Sequence, residues 1–270
     1  MSNPKKGPRV LVFDVETAPI LANVWGLWDQ NIGLNQIKQD WHLLSWAARW
    51  LDDPIGQVMY RDQRKAKDIS NDKELLKPLW DLLDEADVVV TQNGNSFDIK
   101  KLNARFVANN MQPPSSYKCV DTLLIAKKLF SFTSNKLEYM TDKLCVKYKK
   151  LKHSKFPGFE LWSAVLAGNL AAWKEMEKYN KYDVLALEEL YYKLIPWDNS
   201  INFNLYSDEE GTAVTKCSCG STQFVKHGFF YTSVGKFQRY RCSECGAETR
   251  DRVNLMSKTK RASIRIRTAK

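Results

Sequence analysis

The chain has almost nothing that would place it in a membrane or a disulfide scaffold. No apolar run in its 270 residues approaches the ~20 that a membrane span needs. The opening MSNPKKGPRVLVFD carries charge but no apolar segment ahead of its first strand-like run, so no signal peptide is expected. Cys119 and Cys145 stand alone, and the other four cysteines crowd near the C-terminus in metal-like spacing. That usage suits a reducing, cytosolic setting. Histidine is scarce, and none of the three lies where a general base is called for. No internal repeat is present. What the chain does have is 44% apolar residues and nine tryptophans, enough for a sizeable core in one large domain or two unequal ones.

The net charge of +10 is unevenly placed. Residues 1–210 hold 28 basic and 28 acidic side chains, while residues 211–270 hold 13 basic and 3 acidic ones. A neutral body with a basic appendage points to a catalytic domain joined to an element that grips a phosphate backbone. The plainer alternative is a solvated tail that aids solubility.

Residues 9–15 (RVLVFDV) read as a buried strand, being short, β-branched and apolar. Strands are expected at 43–50 and 56–60, with Asp52-Asp53-Pro54 as the turn between them. A helix over 73–86 is expected, capped by Asn71 or Asp72. A strand at 87–92 follows, ended by Asn93-Gly94, then a helix at 97–110 and a strand at 117–121. Helices are expected at 121–130, 136–146, 158–167, 169–178 and 180–194, the last stopped by Pro196. Strands first, then strands alternating with helices, imply an α/β domain with a mixed sheet.

Four acids and a tyrosine carry the chemistry. Asp14 and Glu16 lie two apart on a strand, so both leave the same face. Asp98 follows a second apolar strand and opens a helix, where capping is the competing role. Tyr179 and Asp183 are four apart on a helix and share a face, with a plain solvent-exposed face as the alternative. Convergent carboxylates repel one another unless divalent cations neutralise them, so a metal site and phosphoryl transfer are the leading inference.

The three segments resemble the exonuclease motifs of the DEDD superfamily of 3′–5′ exonucleases. They are most similar to the proofreading domain of family-B DNA polymerases and to stand-alone phage or prokaryotic relatives. The motifs are Asp14-Val15-Glu16-Thr17, then Asn93 to Phe97-Asp98, then Tyr179 to Asp183, with the tyrosine marking the DEDDy subgroup. The likeness covers residues 8–195 and implies a ribonuclease H-like fold. It also implies two Mg²⁺ or Mn²⁺ ions, one shared by Asp14, Glu16 and Asp183 and the other held by Asp14 and Asp98. In this class the Tyr179 hydroxyl orients the attacking water. Thr17, Asn93, Asn95 and Phe97 are the residues implied to hold the terminal nucleotide. Asp121 is read as a helix cap, and the tryptophans at 41, 46, 50, 80, 162 and 173 as mostly core. The lysine-rich run 146–155, which includes His153, lines a strand channel or is a solvated loop.

Cys217, Cys219, Cys242 and Cys245 form two pairs, each followed by glycine, as ligands of one structural Zn²⁺ in a zinc ribbon. The first pair has one intervening residue where two are usual, which leaves His227 as a substitute ligand. Around them Phe229, Phe230, Tyr231, Phe237 and Tyr240 interleave with Lys226, Lys236, Arg239 and Arg241. That mix suits single-strand stacking, and it equally suits a small ribbon core.

The expected layout is a ribonuclease H-like exonuclease domain at 1–198, a connection at 199–212, a zinc ribbon at 213–252 and a basic tail at 253–270 that stays disordered until bound. The expected partners are nucleic acid, DNA ahead of RNA, together with replication or repair proteins, in the cytoplasm of a prokaryotic or phage-infected cell. The alternatives are a structure-specific endonuclease or RNA-processing nuclease on the same site, and a non-catalytic nucleic-acid-binding protein.

Overall fold

The computed structural model describes residues 7–51, 53–54, 57–151, 155–206 and 215–266. Asp52 of the expected turn, Gly56, His153, residues 207–214 and residues 267–270 of the tail lie outside the described residues. The chain divides into two compact units: Pro8–Lys193, and Leu194–Lys270 together with Met1–Gly7.

The first unit opens with β1 (Val10–Thr17), a short hairpin of β2 (Leu21–Ala22) and β3 (Ile37–Gln39), then β4 (Leu43–Trp50) and β5 (Met59–Asp62). It continues with α1 (Lys73–Glu85), β6 (Val88–Thr91), α2 (Asp98–Ala108), β7 (Lys118–Asp121) and α3 (Thr122–Leu129). It ends with α4 (Leu137–Leu144), α5 (Glu160–Leu166) and α6 (Leu170–Leu194). One five-stranded sheet runs in the order β5-β4-β1-β6-β7. β1 pairs antiparallel with β4 and parallel with β6, so the sheet is mixed, as the alternation of elements implied.

β1 is the middle strand, covered on both faces, which is why its apolar residues are continuous rather than alternating. Its odd-numbered side chains Leu11, Phe13 and Val15 pack with Leu76, Leu79 and Leu83 of α1 and with Leu102 and Phe106 of α2. A second cluster joins Ala18 and Leu44 to Leu161 and Val165 of α5 and to Trp173 and Met176 of α6. Each such side chain contributes about 1.5–3 kcal/mol by leaving water.

Three expectations change. Asp72 is the N-cap residue of α1, its carbonyl accepting from Leu76 N–H at 2.9 Å, but its side chain does not cap: the buried carboxylate accepts from Arg105 Nε and Nη2, both at 2.7 Å, and from the Leu43 backbone N–H at 2.9 Å. It therefore ties the start of α1 to α2 and β4. Residues 169–178 and 180–194 are one helix of 25 residues, because no glycine or proline interrupts α6. Among the tryptophans, 46, 50 and 173 are buried, while 41, 80 and 162 are only half-buried.

The second unit begins with short 3-10 turns at Ile195–Trp197 and Phe203–Tyr206. Phe203 is buried, and Asn204 Nδ2 donates to the Lys216 carbonyl at 3.0 Å, so the stretch expected as a plain connection is packed and bonded where it is described. β8 (Phe224–Thr232), β9 (Gly235–Cys242) and β10 (Glu248–Arg250) form an antiparallel sheet in the order β10-β9-β8. The tail is described as far as residue 266. Leu255 N–H donates to the Lys236 carbonyl at 2.7 Å, and Ser257 caps a short α7 (Lys258–Ser263). Among the described residues no helix is long and apolar enough to cross a membrane.

Candidate active site and cysteine centre

The even-numbered side chains of β1 leave the face opposite its packed odd ones. Asp14 lies across from Ala47 and Glu16 across from Ser45, and the register shifts between Glu16 and Thr17, where the paired strand ends. α6 passes this face and supplies Asn180, wholly buried, whose Nδ2 donates to Asp14 Oδ2 at 2.6 Å. Asn180 Oδ1 accepts from Ser45 Oγ at 3.2 Å, so β4, β1 and α6 are joined by one amide. Tyr179 and Asp183 flank Asn180 on α6 and are buried beside it.

Asp98 is the first residue of α2, and its Oδ1 accepts from the Val15 backbone N–H at 3.3 Å, which brings it to β1. The loop ahead of it is shaped by Asp121. That carboxylate accepts from Asn93 N–H at 2.9 Å and Asn95 N–H at 3.2 Å, and it also caps α3 through Leu123 N–H at 3.0 Å. Asn93 has φ 67°, a left-handed conformation that asparagine tolerates better than most residues. At Gly94 a Cβ would fall 2.2 Å from Thr91 Oγ1, so only glycine fits there.

The electrostatics are those of a site built for cations. Loss of hydration raises the Asp14 carboxyl well above its usual range, with Glu16, Asp98 and Asp183 adding repulsion. Burial, then Asp183, push Glu16 up to about 8. Burial pushes Asp98 up to about 7 against its backbone hydrogen bonds. Asp183 is raised by burial despite the ammonium of Lys150, whose Nζ donates to Asp183 Oδ2 at 2.7 Å. Asp183 Oδ1 is buried with no hydrogen-bond partner. A carboxylate oxygen left unpaired among three other acids fits a divalent cation. The four acids do not converge as tightly as the ligands of a single ion; among the described residues only the cysteines do.

Sequence reasoning missed two residues here. Asn180 carried the available signal, a polar side chain three before Asp183 and so on the same helix face. Lys150, also 4.7 Å over the Tyr179 ring, was indistinguishable from its neighbours in the lysine-rich run. Of the implied nucleotide-holding residues, Thr17 lines a cavity of about 560 Å³ with Ile20, Trp41, Lys101, Phe159 and Trp162. Phe97 is exposed, its ring centre 5.6 Å from Lys101 Nζ. Asn93 and Asn95 stay on the Asp121-bound loop and do not line that cavity.

In the second unit the thiols of Cys217, Cys219, Cys242 and Cys245 lie within 4.8 Å of one another. Cys217 Sγ is 3.5 Å from Cys245 Sγ, and Cys219 Sγ is 3.7 Å from Cys242 Sγ. A tetrahedral zinc with Zn–S of ~2.3 Å spaces its sulfurs about 3.8 Å apart, so this donor set fits the metal and is far too open for disulfides. The single residue between Cys217 and Cys219 is accommodated: Gly220, at φ 89°, turns the chain so that its N–H reaches the Cys217 carbonyl at 2.8 Å. His227 is not a ligand; its Nδ1 faces Glu248 Oε1 at 2.9 Å.

Comparison with protein families matches residues 52–195, just over half of the chain, to the RNase H superfamily. That span includes Asp98, Tyr179 and Asp183 but not β1. Comparison with curated proteins gave no match. Among solved structures the chain is similar to the family B DNA polymerase from the hyperthermophilic archaeon Pyrobaculum calidifontis, at 17% identity and a TM-score of 0.49. The likeness covers 70% of this chain and 25% of the polymerase, so the chain spans about a quarter of the length of the protein it matches.

Proposed function

We propose a function for this chain from one premise: it belongs to the RNase H superfamily. Within that superfamily, whose members are typically nucleases, the reading the site supports best is a metal-dependent 3′–5′ exonuclease acting on single-stranded or frayed DNA ends. The observation that carries it is the set of half-buried Asp14 and Glu16 with buried Asp98 and Asp183, delivered by β1, α2 and α6, with Asp183 Oδ1 unpaired. The motif trio's likeness to proofreading exonucleases favours DNA over RNA.

By the motif resemblance Asp14, Glu16 and Asp183, which stand further apart here than one ion's ligands, would draw in to hold one Mg²⁺ or Mn²⁺, and Asp14 with Asp98 a second. When bound, the ions supply charge neutralisation at the scissile phosphate and activation of water. The chain's own groups do the rest. The Tyr179 hydroxyl, whose pKa burial raises further, stays protonated and orients the attacking water. Water adds to phosphorus, the bond to the 3′ oxygen of the preceding nucleotide breaks, and a nucleoside 5′-monophosphate leaves. Asn180 fixes the Asp14 rotamer, and Lys150 offers a cation to the phosphate or to Asp183. The cavity beside Thr17 gives the terminal base aromatic walls in Trp41 and Trp162. Zn²⁺ on the four cysteines would be structural and would hold together a basic unit that grips the strand. Nucleic acid is thus the partner proposed, with replication or repair proteins as its cellular company.

The test is 5′-labelled single-stranded DNA and RNA with Mn²⁺ or Mg²⁺, run beside Asp14→Ala. A ladder shortening from the 3′ end, absent in the variant, is expected. Internal cuts would make it an endonuclease, and cleavage surviving in Asp14→Ala would overturn the assignment of the site.

A further inference from the structure

The β8–β9 hairpin presents two different faces. Residues paired across an antiparallel ladder share a face, and here Phe230 pairs with Phe237, Tyr231 with Lys236, and Phe229 with Gln238. On one face the Arg250 guanidinium lies 5.2 and 4.3 Å from the ring centres of Phe230 and Phe237, and Phe230 is still 40% exposed. On the other, Phe229 and Tyr231 stand two residues apart with Lys236 Nζ 3.8 Å over the Phe229 ring. Tyr231 is 64% exposed and Phe229 40%.

These two rings lie outside the buried cluster around the cysteines. That cluster is Cys217, Cys242 and Ala247, with Cys219, Phe224 and Cys245 packed against it, and neither Phe229 nor Tyr231 belongs to it. That removes the small-core explanation for this pair. Single exposed aromatics are ordinary, but two on one face of an edge strand with a cation between them form a surface. The surface lies on the basic part of the chain, where residues 211–270 hold 13 basic and 3 acidic side chains. Charge complementarity asks for a polyanion, and the rings, 6.5 Å apart edge to face with the mobile Lys236 ammonium over them, ask for planar partners with free faces. Duplexes hide their base faces against each other, whereas unpaired bases offer them.

We propose that this face is a stacking platform for single-stranded nucleic acid. Phe229 and Tyr231 take successive bases, and Lys236 meets the intervening phosphate. The proposal rests on the reading that the chain works on nucleic acid, and it names the strand state and the residues that hold it.

The test uses the full-length, zinc-loaded chain without Mg²⁺ or Mn²⁺, titrated into a short 5′-fluorescein-labelled oligodeoxyadenylate and into the matching duplex. Phe229→Ala and Tyr231→Ala are each expected to weaken single-strand binding about tenfold, with the salt slope and duplex binding unchanged. Lys236→Gln should flatten the single-strand salt slope by about 0.7. Tyr231→Trp should retain affinity, and its added fluorescence should be quenched by the oligonucleotide. Zinc content of one per chain verifies that each variant is folded. Alanine variants that keep their zinc and bind like the parent overturn the proposal. So does an equal loss on duplex, or a loss traced to altered self-association on size-exclusion chromatography, which would make the face a contact for a second copy. The cleavage ladder is a separate readout. Ring-dependent binding without cleavage leaves the platform standing and sinks the exonuclease; cleavage with ring-independent binding does the reverse.

Discussion

In the unit Pro8–Lys193 the carboxylates are mounted on a core that is complete without them, whereas in the unit from Leu194 onward the cysteines are the core. Leu11, Phe13 and Val15 lock β1 against α1 and α2, and Asp14 and Glu16 are carried on the other face of that rigid strand. Around Cys217 and Cys242 the apolar company is little more than Ala247 and Phe224. An ion at the first centre would meet a framework already built and be free to serve chemistry. An ion at the second would supply the folding free energy itself.

The largest effect should come from removing the second ion. Chelation at neutral pH, or Cys242→Ser, is expected to unfold the C-terminal unit, since structural zinc contributes about 10–16 kcal/mol in small modules. Limited proteolysis should then cut within residues 215–266 while the helical circular dichroism of the first unit persists. A metal-free C-terminal unit that still resists protease would erase the contrast.

Next is Asp14→Asn. Cleavage should fall by about a thousandfold or more, which is about 4 kcal/mol of transition-state stabilisation. The metal-free Tm should rise, because one of four mutually repelling acids has gone. A lower metal-free Tm in this variant would mean that Asp14 is a structural acid after all. Asp72→Ala tests the opposite kind of carboxylate, one that the framework needs. Leaving Arg105 without its partner should cost about 3 kcal/mol. The first unit should then melt several degrees lower with zinc content unchanged.

The smallest effect is on pH dependence. Glu16 rises from 4.5 to about 8 on folding, so the folded state binds its proton more tightly than the unfolded one. That contribution is fully present below about pH 4.5 and is lost as pH climbs towards 8. Discounted for solvent screening it amounts to about 1–2 kcal/mol. The Tm of the metal-free protein should decline across that window, and added Mn²⁺ should flatten the decline. Parallel curves with and without Mn²⁺ would argue that no cation joins these acids.

Where local pattern and tertiary role agree, the elements were readable in advance. The apolar runs of β1, β4 and β6 and the leucine spacing of α1 are instances, as is Asp121, which caps α3 as its position implied. Misreadings fall where a polar residue is buried for a reason no local pattern contains. Tyr179-Asn180 looked like a break between two helices because its polar face turns inward to Asp14. Asp72 stands at the cap position, but its side chain serves Arg105, a partner 33 residues away that no local pattern shows. The β2–β3 hairpin escaped notice because Trp25, Leu27, Trp28 and Leu34 are apolar yet almost fully exposed, so no burial period marks them. Motif order, which carries over distance, named both sets of residues in advance, but Lys150 needed the fold to single it out.

In the loop between β6 and α2, Asp121 grasps the main-chain N–H groups of Asn93 and Asn95, not their side chains. Such a clamp is indifferent to which residue occupies position 95. The machinery that sets Asp98 in place is therefore insulated from variation at the surface beside it. Lineages or engineers can exchange Asn95 and its exposed neighbour Ser96 to retune what the protein touches, while the acid behind them keeps its aim.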